Sequence, residues 1–324
     1  AFAIGYALCG VIGLYFFLKE KRRVVKSDEK FKVFDFVLFR DMFNFGKWAY
    51  GMSFIDVGFQ RFNELLIGIF LIEATLGVYR ISQTFASILG YVGIALATTL
   101  NPYLSELTAI KKEEKVVSMM KKSTNYSLIL SLVFSAPIVV FAYQILESVF
   151  SQGFLSGADP LKILIIGFVI ANISRPAGSY FFAKKRLVVN FLILLSSLLT
   201  GIIISSILIP VFSMNGLNQY GGMIGASIGF TSSWIVNTTL FAYFTKRYFN
   251  INILEKKTII WAVIFLIGIS ALAALTKISF ELSILGLVIF EVALALKYKS
   301  ELRSIAKTAE AYLLPPQKKA ANKK

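Results

Sequence analysis

A few charged side chains interrupt otherwise apolar stretches of this 324-residue chain, and they are the first candidates for chemistry. Carboxylates can take up protons or cations, whereas the planar arginine side chain suits phosphate and carboxylate groups. At the centre of a bilayer each such charge costs at least roughly 2.5–3.5 kcal/mol, so each one needs an explanation. The charged residues in question are Asp56, Arg61, Glu64, Arg80, Arg175 and Glu291.

Other chemistries are excluded by composition. The chain has no histidine and one cysteine, Cys9, which rules out a His or Cys zinc site, a disulfide framework and a Cys-His nucleophile pair. It also has no G-x-x-x-x-G-K-[ST] loop for nucleotide hydrolysis. We therefore expect no metal, no cofactor and no enzymatic activity.

Three apolar segments carry polar residues at helical spacing. A repeat of three or four residues places side chains on one face of a helix. Three such faces cannot all point to lipid, so we expect them to surround a wet or partly wet cavity; the alternative is that some only join helices by hydrogen bonds. The three sets are Ser53, Asp56, Gln60, Asn63 and Glu64; Arg80, Gln83, Thr84, Ser87, Tyr91 and Thr98; and Asn172, Arg175 and Ser179.

The elements that carry these residues are predicted to be transmembrane helices. The chain is 56% hydrophobic and only 16% charged, whereas a soluble domain carries about 25% charged residues. A helix needs about 20 mostly apolar residues to cross a bilayer. Nine segments meet or approach this length: 1–18, 45–64, 76–99, 123–146, 161–183, 188–211, 221–245, 258–276 and 281–296.

The connecting loops alternate in charge, which predicts the topology. Of the 34 basic residues, 29 fall in every second loop and the C-terminal tail. Basic residues remain on the cytoplasmic side, so the C-terminus is predicted to lie inside. The net charge of +16 is then a topology signal, and we expect no nucleic-acid partner. Because the first segment must run inwards, an odd number of preceding crossings and an N-terminally truncated chain are expected.

Several short motifs follow one another along the chain: Arg40–Gly46, Asn63–Gly68, Leu76–Tyr79, Leu100–Glu106, Ala136–Pro137, Leu208–Pro210 and Gly221–Ala226. Their order and spacing resemble those of polysaccharide flippases, the lipid-linked oligosaccharide transporters of the MATE-like MOP superfamily. Small residues at 222, 225, 226 and 229 favour close helix contact, and Pro102 and Pro210 are expected where helices end.

The resemblance implies an all-α polytopic membrane fold with two six-helix lobes around a central cavity. On that scheme the chain holds helices six to fourteen, and roughly 150–180 residues would precede it. The expected parts are the last first-lobe helix (1–18), a cytoplasmic linker with an interfacial segment (19–44), the second lobe (45–250), two additional helices (251–297) and a basic cytoplasmic tail (298–324).

The implied function is to flip a polyprenyl-diphosphate-linked oligosaccharide across the cell membrane by alternating access. The partners would be the lipid bilayer, that glycan and the missing N-terminal lobe. Arginines would hold the diphosphate, amide and hydroxyl groups would contact sugars, and the two carboxylates are candidates for ion coupling. The expected substrate-binding residues are Arg61, Arg80, Arg175, Gln60, Gln83, Tyr91 and Asn172, and the coupling candidates are Asp56 and Glu64.

Two other functions are left open. A multidrug exporter of the same superfamily should favour carboxylates over arginine, whereas arginines exceed the carboxylates among Asp56, Arg61, Glu64, Arg80 and Arg175 by one charge. A glycan polymerase or ligase should have a large, charged outer loop. The outer loops here are short and nearly uncharged, which disfavours the enzyme.

Overall fold

The computed structural model describes residues 10–13, 15, 16, 36–214, 218–253, 260, 263, 264, 267–269, 271, 272, 280–299 and 303. Within these ranges every regular element is a helix. The α-helices are α1 Phe36–Phe70, α2 Glu73–Ala109, α3 Glu113–Val140, α4 Ala142–Val149, α5 Ala158–Ala183, α6 Leu187–Phe212, α7 Asn218–Phe249 and α8 Phe280–Lys297. A 3₁₀ helix, Gln152–Gly157, lies between α4 and α5.

Among the described residues, four helical stretches are long and apolar enough to cross a membrane: Glu73–Ala109, Glu113–Val140, Gln152–Ala183 and Leu187–Phe212. The chain is therefore an all-α polytopic membrane protein, as predicted. The predicted segments 1–18 and 258–276 fall largely outside the described residues, as do most of the linker and the tail.

The chain divides into two compact units, residues 1–46 and 47–324. In the first unit, residues 10–13, 15 and 16 are helical, and Phe36–Gly46 form the first turns of α1. Helix α1 thus begins before the predicted segment at residue 45. All contacts described below lie within the second unit.

The basic turns meet at one end of the second unit. Lys184, in the turn between α5 and α6, donates a hydrogen bond to Glu113 at the start of α3. Arg186 lies over the ring of Tyr248 near the end of α7, at 5.6 Å. Three loops that the charge pattern assigns to one side of the membrane are therefore neighbours, and we call this the basic end.

The loops without basic residues meet at the opposite end. Gln219, at the start of α7, accepts hydrogen bonds from the backbone N–H of Ile72 at 3.2 Å and the hydroxyl of Thr75 at 3.1 Å. The Asp159 carboxylate of α5 accepts hydrogen bonds from Tyr143 of α4, at 2.8 Å, and from Tyr220 of α7. The alternation of loop charge in the sequence thus corresponds to two physical ends of the helix bundle.

Helices α6 and α7 pack backbone to backbone. A Cβ on Gly225 would lie 2.6 Å from the carbonyl oxygen of Leu208, and one on Gly229 would lie 2.8 Å from the backbone nitrogen of Ser205. Small residues allow this approach, which gives the van der Waals contact that joins helices in lipid. The predicted small-residue face is therefore a helix interface.

Proline positions agree with the sequence prediction only in part. Pro210 lies in the last turn of α6, close to its end at Phe212. The expectation that Pro102 marks a helix end is wrong, because α2 continues to Ala109 with Pro102 in its interior. Membrane helices tolerate such prolines where neighbouring groups satisfy the freed backbone carbonyls.

Candidate functional site

A cavity of about 570 Å³ opens between α1, α2, α5 and α7. Most of its polar wall comes from α1 and α2, and most of its aromatic wall from α5 and α7. The lining residues are Asp56, Phe59, Gln60, Arg61 and Glu64 of α1; Arg80, Gln83, Thr84, Ser87, Gly90, Tyr91, Ile94, Ala97 and Thr98 of α2; Phe168 and Arg175 of α5; and Phe230 and Trp234 of α7.

The polar face predicted on α2 lies entirely along this cavity. Its spacing of three to four residues keeps successive side chains on one side of the helix. The hydroxyl of Thr84 donates to the carbonyl of Arg80 at 2.8 Å, and that of Ser87 donates to the carbonyl of Thr84 at 2.7 Å. Gln83 donates to the carbonyl of Gln60 at 3.0 Å and so joins the two polar helices.

The polar face predicted on α1 is divided. Asp56, Gln60 and Glu64 line the cavity, but Asn63 is buried behind it. Ser53 is exposed, and its hydroxyl donates to the carbonyl of Ala49. The predicted polar face on α1 therefore includes residues that line the cavity and two, Ser53 and Asn63, that do not.

Asn63 joins four helices. Its amide donates to the Tyr79 hydroxyl of α2 at 2.9 Å and to the Ala226 carbonyl of α7 at 3.0 Å. The Ser205 hydroxyl of α6 donates to its side-chain oxygen at 2.9 Å. Polar contacts of this kind hold membrane helices together, so the structural reading of the polar stripes applies to Asn63.

Glu64 is shared by two arginines. The Nη1 atom of Arg61 lies 2.8 and 3.0 Å from the two carboxylate oxygens of Glu64. The Nε atom of Arg80 lies 3.9 Å from Oε1 of the same carboxylate. The side chain of Glu64 is only 18% exposed, compared with 51% for Arg61 and 61% for Arg80. This cluster therefore presents one net positive charge to the cavity.

Arg175 stands at the aromatic wall. Its Nε donates to the side-chain oxygen of Asn172 at 3.2 Å. Its guanidinium lies 5.7 Å from the ring centre of Trp234, within cation–π range. It also interacts electrostatically with the Asp56 carboxylate across the cavity. The arginine is thus held in a defined orientation by three neighbours.

Asn172 lies behind the cavity wall. It is fully buried, and its amide donates to the carbonyl of Leu89 at 2.9 Å and to the hydroxyl of Ser131 at 2.8 Å. It is absent from the residues that line the cavity. The structure therefore places it as a support for Arg175, whereas the other predicted substrate-binding residues face the cavity.

The aromatic wall was not predicted from the sequence. Phe59 and Trp234 stack with ring centres 4.7 Å apart, and Phe168 lies 5.1 Å from Phe230. Aromatic residues in an apolar segment look the same whether they face lipid, core or cavity, so spacing alone gave no signal. Their faces can stack on rings or cover apolar groups.

Outside the cavity, Lys162 pairs with Asp159 at 3.0 Å near the end opposite the basic turns. Glu291, also a candidate from the sequence, lies on α8. Among the described residues, no group of three His, Cys, Asp or Glu side chains could hold a metal ion. With three arginines and two carboxylates, the cavity carries one formal positive charge and favours an anionic ligand.

These features define a multi-pass helical membrane protein with a polar, cationic cavity, and comparisons with known proteins identify its relatives. A family model described as "Polysaccharide biosynthesis protein" matches residues 6–159. The chain is 24% identical over 213 residues to the "Probable low-salt glycan biosynthesis flippase Agl15" of Haloferax volcanii, covering 66% of this chain and 43% of that protein. A solved MOP superfamily transporter from Pyrococcus furiosus aligns with 77% of the chain and 57% of its own length, at 15% identity and a TM-score of 0.45.

The family model and the Haloferax volcanii relative are both described by polysaccharide or glycan biosynthesis, in agreement with the flippase family that the sequence motifs resemble. The chain spans less than half the length of the curated flippase it matches.

Proposed function

We propose that the chain forms the second lobe of a flippase that moves a polyprenyl-diphosphate-linked oligosaccharide from the cytoplasmic to the outer leaflet. The single observation that carries this proposal is the cavity, which combines three arginines with amide, hydroxyl and aromatic side chains inside a membrane bundle. The proposed lobe covers residues 45–250, followed by two helices (251–297) and a cytoplasmic tail (298–324) in a protein of the cell membrane.

Each class of lining residue suits one part of this substrate. Arginine forms charge-assisted hydrogen bonds with phosphate oxygens. The amides of Gln60 and Gln83 and the hydroxyl of Tyr91 can bond sugar hydroxyls, and the aromatic wall can stack on sugar rings. The polyprenyl tail would remain in lipid, so no covalent step and no cofactor are needed.

The cavity requires a second wall for transport. In this chain the side chains of Arg80 and Tyr91 are more than half exposed although they line a polar site within a membrane protein. A preceding lobe of the same protein would cover this side, and rocking of the two lobes would alternate access between the leaflets. Coupling to an ion gradient would involve Asp56 or Glu64.

The exporter alternative receives no specific support. A cation exporter needs carboxylates available to a positively charged ligand, but Glu64 is already paired with Arg61. The remaining carboxylate, Asp56, interacts with Arg175. An anionic ligand would instead meet arginines whose remaining N–H groups can donate hydrogen bonds.

The test is complementation of a deletion strain by the full-length protein. Arg80→Ala and Arg175→Ala should leave lipid-linked oligosaccharide accumulating inside the cell, whereas Lys246→Ala, an exposed charge at the basic end, should restore surface glycan. All variants are compared at matched expression. Equal complementation by the three variants would contradict a role for the arginines in binding the diphosphate.

A further inference from the structure

The cavity arginines lie at two different depths in the bundle. Helices α2 and α5 start at the same end, because the Ser82 hydroxyl of α2 donates at 2.9 Å to the carbonyl of Gly157, directly before α5. Further along both helices, Arg175 lies against Gly90, where an added Cβ would be 4.0 Å from its Nη2 atom. Arg80 precedes Gly90 by ten residues, and an α-helix rises 1.5 Å per residue, so the backbones of these two residues are about 15 Å apart along α2.

The carboxylates follow the same division. Helix α1 runs opposite to α2, since Asn63 bonds Tyr79 while the earlier Gln60 bonds the later Gln83. Asp56 therefore lies further toward the basic end, where it interacts with Arg175. Glu64 lies toward the other end with Arg61 and Arg80.

This arrangement forms two separate groups. The inner station, Arg175 with Asp56, lies nearer the basic end, and the outer station, Arg61, Glu64 and Arg80, lies nearer the turn between α1 and α2. Uncharged polar side chains of Gln60, Gln83, Thr84 and Ser87 line the interval. A diphosphate group is shorter than this backbone separation, so we expect it to occupy one station at a time.

The two stations also differ in binding strength. Arg175 is partly buried and oriented by Asn172, and electrostatic interactions strengthen where water is excluded. The inner station pairs Arg175 with Asp56. The outer station has one net positive charge, but its arginines are more than half exposed, where water weakens electrostatic attraction. Because Arg175 is more buried and is held in a fixed orientation, an anion should be held more firmly at the inner station.

We infer that the diphosphate binds the two stations in sequence, first at Arg175 on the cytoplasmic side and then at Arg61 and Arg80 before release. This inference rests on the proposed function. The inner station sets the affinity for substrate, and the outer station sets the rate at which the bound head group crosses and leaves.

The test separates affinity from rate in proteoliposomes that contain the full-length protein and a fluorescent polyprenyl-diphosphate disaccharide. Arg175→Gln should raise the half-saturating substrate concentration about ten- to hundredfold, the value expected for one charge-assisted interaction, with little change in maximal rate. Inorganic diphosphate added on the cytoplasmic side should inhibit transport by the wild type but not by this variant. The double variant Arg61→Gln/Arg80→Gln should instead lower the maximal rate about tenfold and retain the inhibition.

The control variant is Lys246→Gln. If the glutamine variants fold poorly, Arg→Lys variants of the same positions keep the charge. These lysine variants should show the same separation of affinity from maximal rate, with smaller effects. Equal increases in half-saturating concentration for both groups of variants would overturn the two-station inference while preserving the flippase. Wild-type kinetics in every variant would instead overturn the proposed binding of diphosphate by arginine.

Discussion

Replacing Gly93 with alanine should destabilise the wall that holds Arg175. Gly93 lies on α2 directly beneath Asn172 and Arg175 of α5. An added Cβ would lie 2.1 Å from the Oδ1 atom of Asn172 and 2.6 Å from the Cδ atom of Arg175. Asn172 cannot retreat freely, because its amide also bonds Leu89 and Ser131.

The magnitude follows from opposing terms. Alanine gains about 1 kcal/mol over glycine within a helix. Overpacking a close contact costs about 1–3 kcal/mol, and each interhelical hydrogen bond that Asn172 loses adds about 0.6 kcal/mol. We expect Gly93→Ala to lower the free energy of unfolding by about 1–2 kcal/mol. Gly77, on the same helix, has no atom within 4 Å of an added Cβ, so Gly77→Ala should be neutral or stabilising.

The assay is unfolding of the detergent-solubilised full-length protein, followed by substrate titration in proteoliposomes. Gly93→Ala should unfold at a lower temperature than Gly77→Ala and should raise the half-saturating concentration, because it displaces the guanidinium of Arg175. If Gly93→Ala matched Gly77→Ala in both measurements, the close packing of α2 on α5 and its support of Arg175 would be refuted.

Two further predictions concern α1. Asn63→Leu should lower the free energy of unfolding by about 2 kcal/mol, because three interhelical hydrogen bonds of about 0.6 kcal/mol each are lost. Tyr79→Phe removes one of these hydrogen bonds and should lower the free energy of unfolding by less. Equal unfolding temperatures for the two variants would count against this network. Glu64→Gln should strengthen inhibition by inorganic diphosphate added on the outer side several-fold, because it removes the negative charge next to Arg61 and Arg80 of the outer station. Unchanged or weaker inhibition from that side would show that this carboxylate does not moderate the binding of anions.

The sequence predicted the helices and one polar face well, for physical reasons. Long apolar runs and alternating loop charge are strong signals, since a bilayer leaves few alternatives to helices. The stripe on α2 was predicted correctly because its residues from Arg80 to Thr98 keep helical spacing along a helix that borders one cavity.

The remaining site depends on tertiary packing. Asn63 and Asn172 are polar and share the helical spacing of the cavity residues, yet both are buried in helix interfaces. Only the positions of neighbouring helices separate a polar residue that binds ligand from one that binds another helix. The aromatic wall of Phe59 and Trp234 was missed for the same reason, since apolar segments contain many such residues.

The most direct test of the central claim is lipid mass spectrometry of cells in which the full-length gene is deleted or depleted. The proposed function predicts a build-up of polyprenyl-diphosphate oligosaccharide together with loss of surface glycan. Normal amounts of lipid-linked glycan, combined with heightened sensitivity to cationic drugs, would contradict it and favour the exporter.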